Sequence, residues 1–115
     1  MPRMPAGALV TAVASGTDAI SLSSLSNSRF RLLSVQTHFS AAPTAPEDWT
    51  VTVNDVNGAA YDTVIARVTP STDATVDILY QPDHDMYLDS GTAIDVAFPN
   101  SGGRTHGTKI VIEVF

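Results

Sequence analysis

From Phe30 onward apolar and polar residues take turns in short runs. Trp49, Val51 and Val53 alternate with Thr50, Thr52 and Asn54, and a period of two assigns each set to its own face of a half-buried β-strand. Val76, Ile78 and Tyr80 repeat the pattern within 75–80, as do Ile94, Val96 and Phe98 within 92–98. Along 30–39 the alternation slips phase at Leu32-Leu33, which predicts a bulge or a strand buried on both sides. The segment 61–69 has a spacing that a helix would also accept, but Thr63, Val64, Ile65, Val68 and Thr69 are β-branched and favour a strand. Met86-Tyr87-Leu88 reads as a short strand. Thr108 to Phe115 reads as a last strand whose apolar end is tied into a sheet or an interface.

Turn residues separate these runs. Pro43 and Pro46 break 41–48, and Pro82 breaks 81–85. Asn54-Asp55-Val56-Asn57-Gly58 is a hairpin turn, with Asn-Gly supplying positive φ. Similar breaks fall at 70–73, 89–91 and 99–107. Seven or eight short strands with no amphipathic helix predict an all-β chain, a single antiparallel β-sandwich or jelly roll. A small β-barrel is the alternative that the pattern leaves open.

Residues 1–28 differ. They are rich in Ala and Ser and almost uncharged, yet Leu9, Val10, Val13, Ile20, Leu22 and Leu25 are too apolar for a plain linker. The expected organisation is an extended N-terminal arm over 1–28, with a weak strand near 8–14 and then a loop, followed by a β-sandwich over 29–115. Those six apolar residues are the candidate protein-interaction arm. The start does not read as a signal peptide, because Gly7 and Thr11 interrupt a short apolar stretch. No segment approaches the roughly 20 apolar residues of a membrane helix.

Composition narrows the partners. The 115 residues allow one domain with a modest core, so self-association is an expected source of added stability. Six scattered basic residues against a net charge of −6 cannot form the positive stripe that nucleic acid or an anionic membrane requires. With no cysteine there is no disulfide and no thiolate metal site.

Candidate chemistry is sparse. Asp83-His84-Asp85 could bind a divalent cation or tune a general base. Equally, such residues after Pro82 cap a turn, and in an extended chain the two aspartates face opposite ways. Together with Arg104 they form the candidate ligand loop. His38, His84 and His106 have no paired zinc spacing, no serine sits in a Gly-x-Ser-x-Gly elbow, and Ser101-Gly102-Gly103-Arg104 lacks the phosphate-loop signature. Trp49, Tyr61, Tyr80 and Tyr87 could form an aromatic platform for a sugar ring, although aromatics on strands also serve as core and cross-strand pairs. No enzyme and no cofactor is expected from these residues.

Several segments carry a resemblance: Arg31-Leu32-Leu33-Ser34-Val35, Gly58-Ala59-Ala60-Tyr61-Asp62-Thr63, Leu79-Tyr80-Gln81-Pro82-Asp83, the run Leu88 to Val96, and the run Asn100 to Gly107. In this order the chain resembles small β-sandwich proteins of tailed-phage virions. The resemblance covers roughly three quarters of the chain and leaves out residues 1–28. It implies a non-enzymatic virion component, a capsid decoration (cement) protein docking across junctions of the major capsid protein, often as a trimer, with an N-terminal arm reaching a neighbour. A tail or head-to-tail connector, and a carbohydrate-binding or adhesion module, are the alternatives.

Overall fold

The computed structural model describes residues 7–115; the expected arm's first six residues lie outside them. Nine strands follow in chain order: β1 (Ala8–Gly16), β2 (Ile20–Leu25), β3 (Phe30–Phe39), β4 (Trp49–Asn54), β5 (Thr63–Val68), β6 (Asp77–Tyr80), β7 (Tyr87–Leu88), β8 (Ala93–Phe98) and β9 (His106–Val114). They form two antiparallel sheets. One has the order β1-β9-β3-β6 with β7 also on β3, and the other has the order β2-β8-β4-β5.

This order is that of a rolled ribbon. The outgoing strands β1, β2, β3 and β4 pair in turn with the returning strands β9, β8, β6 and β5. Successive pairs fall in opposite sheets, and the roll closes where β9 meets β3 and β8 meets β4. That is the jelly-roll arrangement of a β-sandwich. The ribbon folds back at Asn54–Gly58. There Asp55 Oδ1 accepts from the Asn57 N–H at 2.8 Å, and Gly58 sits at φ 116, so the turn residues do what their chemistry favours.

The core lies between the sheets. Phe30, Val35 and Phe39 of β3, Trp49 and Val51 of β4, Ile94 of β8, and Ile110 and Ile112 of β9 are fully buried. Each is an alternate residue of its strand, the face that the period-two pattern assigns inward. The phase slip at Leu32-Leu33 is a β-bulge: opposite β9, the register jumps between Leu32 and Ser34. The extra residue lets both halves of β3 keep their apolar side chains on the core side.

A polar chain threads this core. Trp49 Nε1 donates to Thr37 Oγ1 at 2.9 Å across the two sheets, and Thr37 meets Thr108 Oγ1 at 2.9 Å. Thr108 Oγ1 lies 3.3 Å from His106 Nδ1, and His106 Nε2 lies 3.2 Å from the Asp18 carbonyl. A carbonyl only accepts, so Nε2 carries the proton and Nδ1 accepts from Thr108. Thr37 then donates to Thr108, and every link in the chain is satisfied.

The N-terminal segment departs from expectation. The strand expected over 8–14 is present and extends to Gly16, but the loop expected after it contains a second strand, β2. Residues 8–25 are therefore not an arm beside the sandwich. They supply one edge strand to each sheet, and Ile20, at 2 % exposed, is a core residue. The serines of β2 hid it, because Ser21 and Ser23 occupy its outer face while Ile20 and Leu22 face inward opposite Phe98 and Val96.

Asp48 secures the start of β4 to the end of β5. Its carboxylate accepts from the Thr69 hydroxyl at 2.6 Å and from Arg67 at 3.0 Å, and these bonds, Thr69 first, hold it below the ordinary aspartate range. A depressed folded pKa gives stability that is complete above the unfolded value of about 3.9 and is lost as pH falls through the folded one. The stability gap between the wild type and Asp48→Asn should therefore shrink as denaturant titrations move from neutral pH into the acid range. A gap that is the same at every pH would refute this.

Candidate functional site

The outer face of the five-stranded sheet is built in cross-strand rows. Leu9, Glu113, Arg31 and Tyr87 lie side by side in one row, and Val13, Lys109, Gln36 and Leu79 in another. Between them Thr11, Val111 and Ser34 make a row at the bulge. These side chains point outward because their strand neighbours Val35, Thr37, Ile78, Thr108, Ile110 and Ile112 are buried. Leu9 is 68 %, Val13 69 % and Leu79 60 % exposed. Apolar residues thus stand on the flanks of the face, with charges between them.

The charged centre is well formed. Arg31 donates to Glu113 at 2.6 Å and to Asp85 at 3.0 Å. Desolvation pulls its pKa down, but the bonds to Asp85 and Glu113 outweigh it, so the guanidinium is held above its ordinary value and stays charged. Beside it Tyr87 packs on Phe115 with ring centroids 5.8 Å apart, and the Arg29 guanidinium lies 4.9 Å from the Tyr87 ring. Phe115 is half exposed and its N–H donates to the Arg29 carbonyl at 3.0 Å. Toward the other end of the face an open depression of about 510 Å³ lies over Gly107, between Val13, Gln36, His38 and Lys109.

Strand β1 borders this face. It pairs with β9 through nine consecutive residues and, among the described residues, has no strand on its other side. Its sequence, Ala-Leu-Val-Thr-Ala-Val-Ala-Ser-Gly, contains no charge and no proline. Val10 is 44 % exposed even though it points to the inner side, so β1 projects past the cover of the second sheet. Edge strands usually carry a charge, a proline or a bulge that discourages pairing, and β1 has none of these.

The six apolar residues expected to make contacts divide. Leu9, Val10, Val13 and Leu25 are exposed, whereas Ile20 is in the core and Leu22 packs against it. The candidate ligand loop is not one site. Asp83, His84 and Asp85 lie in the β6–β7 connection, where Asp85 is committed to Arg31 near the end of β9. Arg104 lies in the loop before β9, so the length of that strand, about 25 Å, separates them. Asp83 acts on Tyr80, whose pKa is raised first by burial and then by that charge. Among the described residues, no three His, Asp or Glu side chains converge as a metal-holding group.

The four aromatics considered as a platform do not gather either. Trp49 is buried in the core, Tyr61 stands alone at the ribbon's fold, Tyr80 is half buried on β6, and Tyr87 has Phe115 as its partner. Sequence reasoning missed Leu79 and Arg29 as members of the face, and it expected Phe115 only as the apolar end of a strand tied into a sheet or an interface. Leu79 had a signal, since it is the apolar residue out of phase between Ile78 and Tyr80. Compared with known proteins, the chain matches no family model and no curated sequence.

Proposed function

We propose that this chain is a non-enzymatic structural protein of a tailed-phage virion, a capsid decoration protein that docks on the major capsid protein. The observation that carries a docking role is the outer face of the five-stranded sheet, where Leu9, Val13, Leu79, Tyr87 and Phe115 are all exposed beside an unprotected edge strand. Exposed apolar side chains spaced around an ion-pair centre suit a protein interface, with aromatics as anchors and charges setting the register. The virion assignment rests on the sequence resemblance, and the jelly roll is a fold that viral capsid proteins use repeatedly. The docking element is then the sheet face with its β1 border, in place of a free arm.

Quantitative mass spectrometry of purified particles of the phage that encodes this chain tests the assignment. A copy number comparable with the coat protein is the expected result, and absence from particles would overturn it. A few copies per particle would replace decoration with a connector or tail role. Independently, Leu79→Asp and Val13→Asp should each weaken binding to capsids at least tenfold while leaving the circular dichroism spectrum unchanged. Unaltered binding by both variants would remove this face from the interface.

A further inference from the structure

We propose that two copies of this chain pair through β1, antiparallel and centred on Thr11, to join their five-stranded sheets into one. A two-fold axis perpendicular to the sheet keeps the outer face of each copy on the same side. Only residues of like facing can then oppose each other. Centring on Thr11 sets Leu9 opposite the second copy's Val13, Val10 opposite its Ala12, and Thr11 opposite itself. The segment Leu9-Val10-Thr11-Ala12-Val13 is thus self-complementary about its midpoint, apolar against apolar on both faces with one threonine pair between.

Charge supports the same register. On the outer face the row through Leu9 continues into Glu113, the charged residue beside β1 in that row, and then into Arg31, which also bonds Asp85. The row through Val13 continues into Lys109, which forms no ion pair among the described residues. Pairing about Thr11 joins the Leu9 row of one copy to the Val13 row of the other, so Glu113 of each copy lies in line with a lysine of the other, twice by symmetry. Glu113 and the second copy's Lys109 are then about 14 Å apart at the backbone, and with the Glu113 carboxylate held by Arg31 the attraction acts along the row, without a direct ion pair. Centring on Ala12 would pair all nine residues, but it sets Leu9 against Ser15 and Val13 against Thr11, and joins Lys109 to the row of Val111. It loses both complementarities.

The other edges fit this role less well. Strand β6 is four residues long and begins at the charged Asp77, and the chain beyond it is broken by Pro82. Strand β5 carries Arg67 and faces a register shift in its ladder with β4. Strand β2 is six residues with serines on its outer face. Pairing by one strand from each copy buries less than the roughly 800 Å² per partner of a stable interface. The dimer should therefore be concentration-dependent, with the isolated copy remaining folded. The inference does not depend on the virion assignment.

Sedimentation velocity of the full chain over a wide concentration range is the first arm of the test. The expected result is a reversible monomer–dimer equilibrium that Thr11→Lys abolishes, because two lysines would face each other at the two-fold axis. A monomer at every concentration, or a trimer, would overturn the proposal. The second arm is cysteine trapping, clean in a chain with no cysteine of its own. Opposed residues in an antiparallel ladder have Cα atoms about 4.5–5.5 Å apart, within disulfide range. Thr11→Cys should therefore oxidise to a covalent dimer at least tenfold faster than Ala12→Cys. Faster trapping at Ala12 would overturn the register.

Discussion

Trp49→Ala is expected to lower stability by about 3–5 kcal/mol, and so to bring the fold close to its limit, since small domains have only about 5–15 kcal/mol in all. Two losses combine. The indole is the largest fully buried side chain, and its removal leaves a cavity between the sheets that a strand-built core cannot readily close. Its N–H is also the first donor of the polar chain through Thr37, Thr108 and His106. Without it the Thr37 oxygen keeps its bond to Thr108 but loses its only donor, at a cost of about 1–3 kcal/mol that the cavity figure partly contains. Trp49→Phe separates the two terms, because it keeps most of the ring volume and removes only the N–H. Urea denaturation followed by circular dichroism is the proper measurement, as Trp49 is the sole tryptophan and its replacement removes the fluorescence signal. A loss below about 1 kcal/mol for Trp49→Ala would mean that the site repacks or that the indole is not buried.

Asn100 should be comparably sensitive for a different reason. Its side chain ties the β1–β2 turn to the loop before β9: the carbonyls of Thr17, Asp18 and Arg104 lie 2.9–3.0 Å from Nδ2 and share its two N–H groups, and Oδ1 accepts from the Arg104 N–H at 3.1 Å. The residue is buried and holds φ at 51, a left-handed conformation that asparagine tolerates better than most residues. Asn100→Gly keeps the backbone geometry while deleting every side-chain bond. It should cost about 2–4 kcal/mol through the unpartnered groups left behind. Asn100→Ala should cost more, by about 1 kcal/mol of backbone strain. Asn100→Asp should be at least as damaging as Asn100→Gly, because a carboxylate would face three carbonyl oxygens. Equal stability of wild type and Asn100→Gly would show that these bonds are exchanged for water at no cost.

The same two residues show how far the chain can be read without its fold. Trp49 begins an alternating run, which is enough to place it on the inner face of β4, but nothing in the run names Thr37 as its partner on the opposite sheet. Asn100, read in the sequence, is one polar residue in a Gly-rich loop. Its importance depends on Thr17 and Asp18, more than 80 positions away, arriving at the same corner. Legibility therefore followed locality. The bulge at Leu32-Leu33 and the turn at Asn57-Gly58 are visible because each depends on neighbours in the chain. Strand β2 is not legible in this way, because its serines, read locally, suit the loop expected after 8–14.

What the sequence alone determined is the set of strands from Phe30 onward, their inward faces, their turns, and the absence of a compact catalytic motif. Those properties follow from backbone φ preferences and from the period-two geometry of a strand, both of which act over a few residues. Which strands become neighbours is set by the folded topology. The rolled ribbon brings residues 8–16 beside the last strand, makes them an edge, and leaves Leu9 and Val13 exposed in line with Glu113 and Lys109. It also draws Asp85 to Arg31 and sends Arg104 to the far end of the sandwich, which dissolves the candidate ligand loop. Contacts between distant positions arise from burying one sheet against another, and their partners are set by topology, on which local composition is silent.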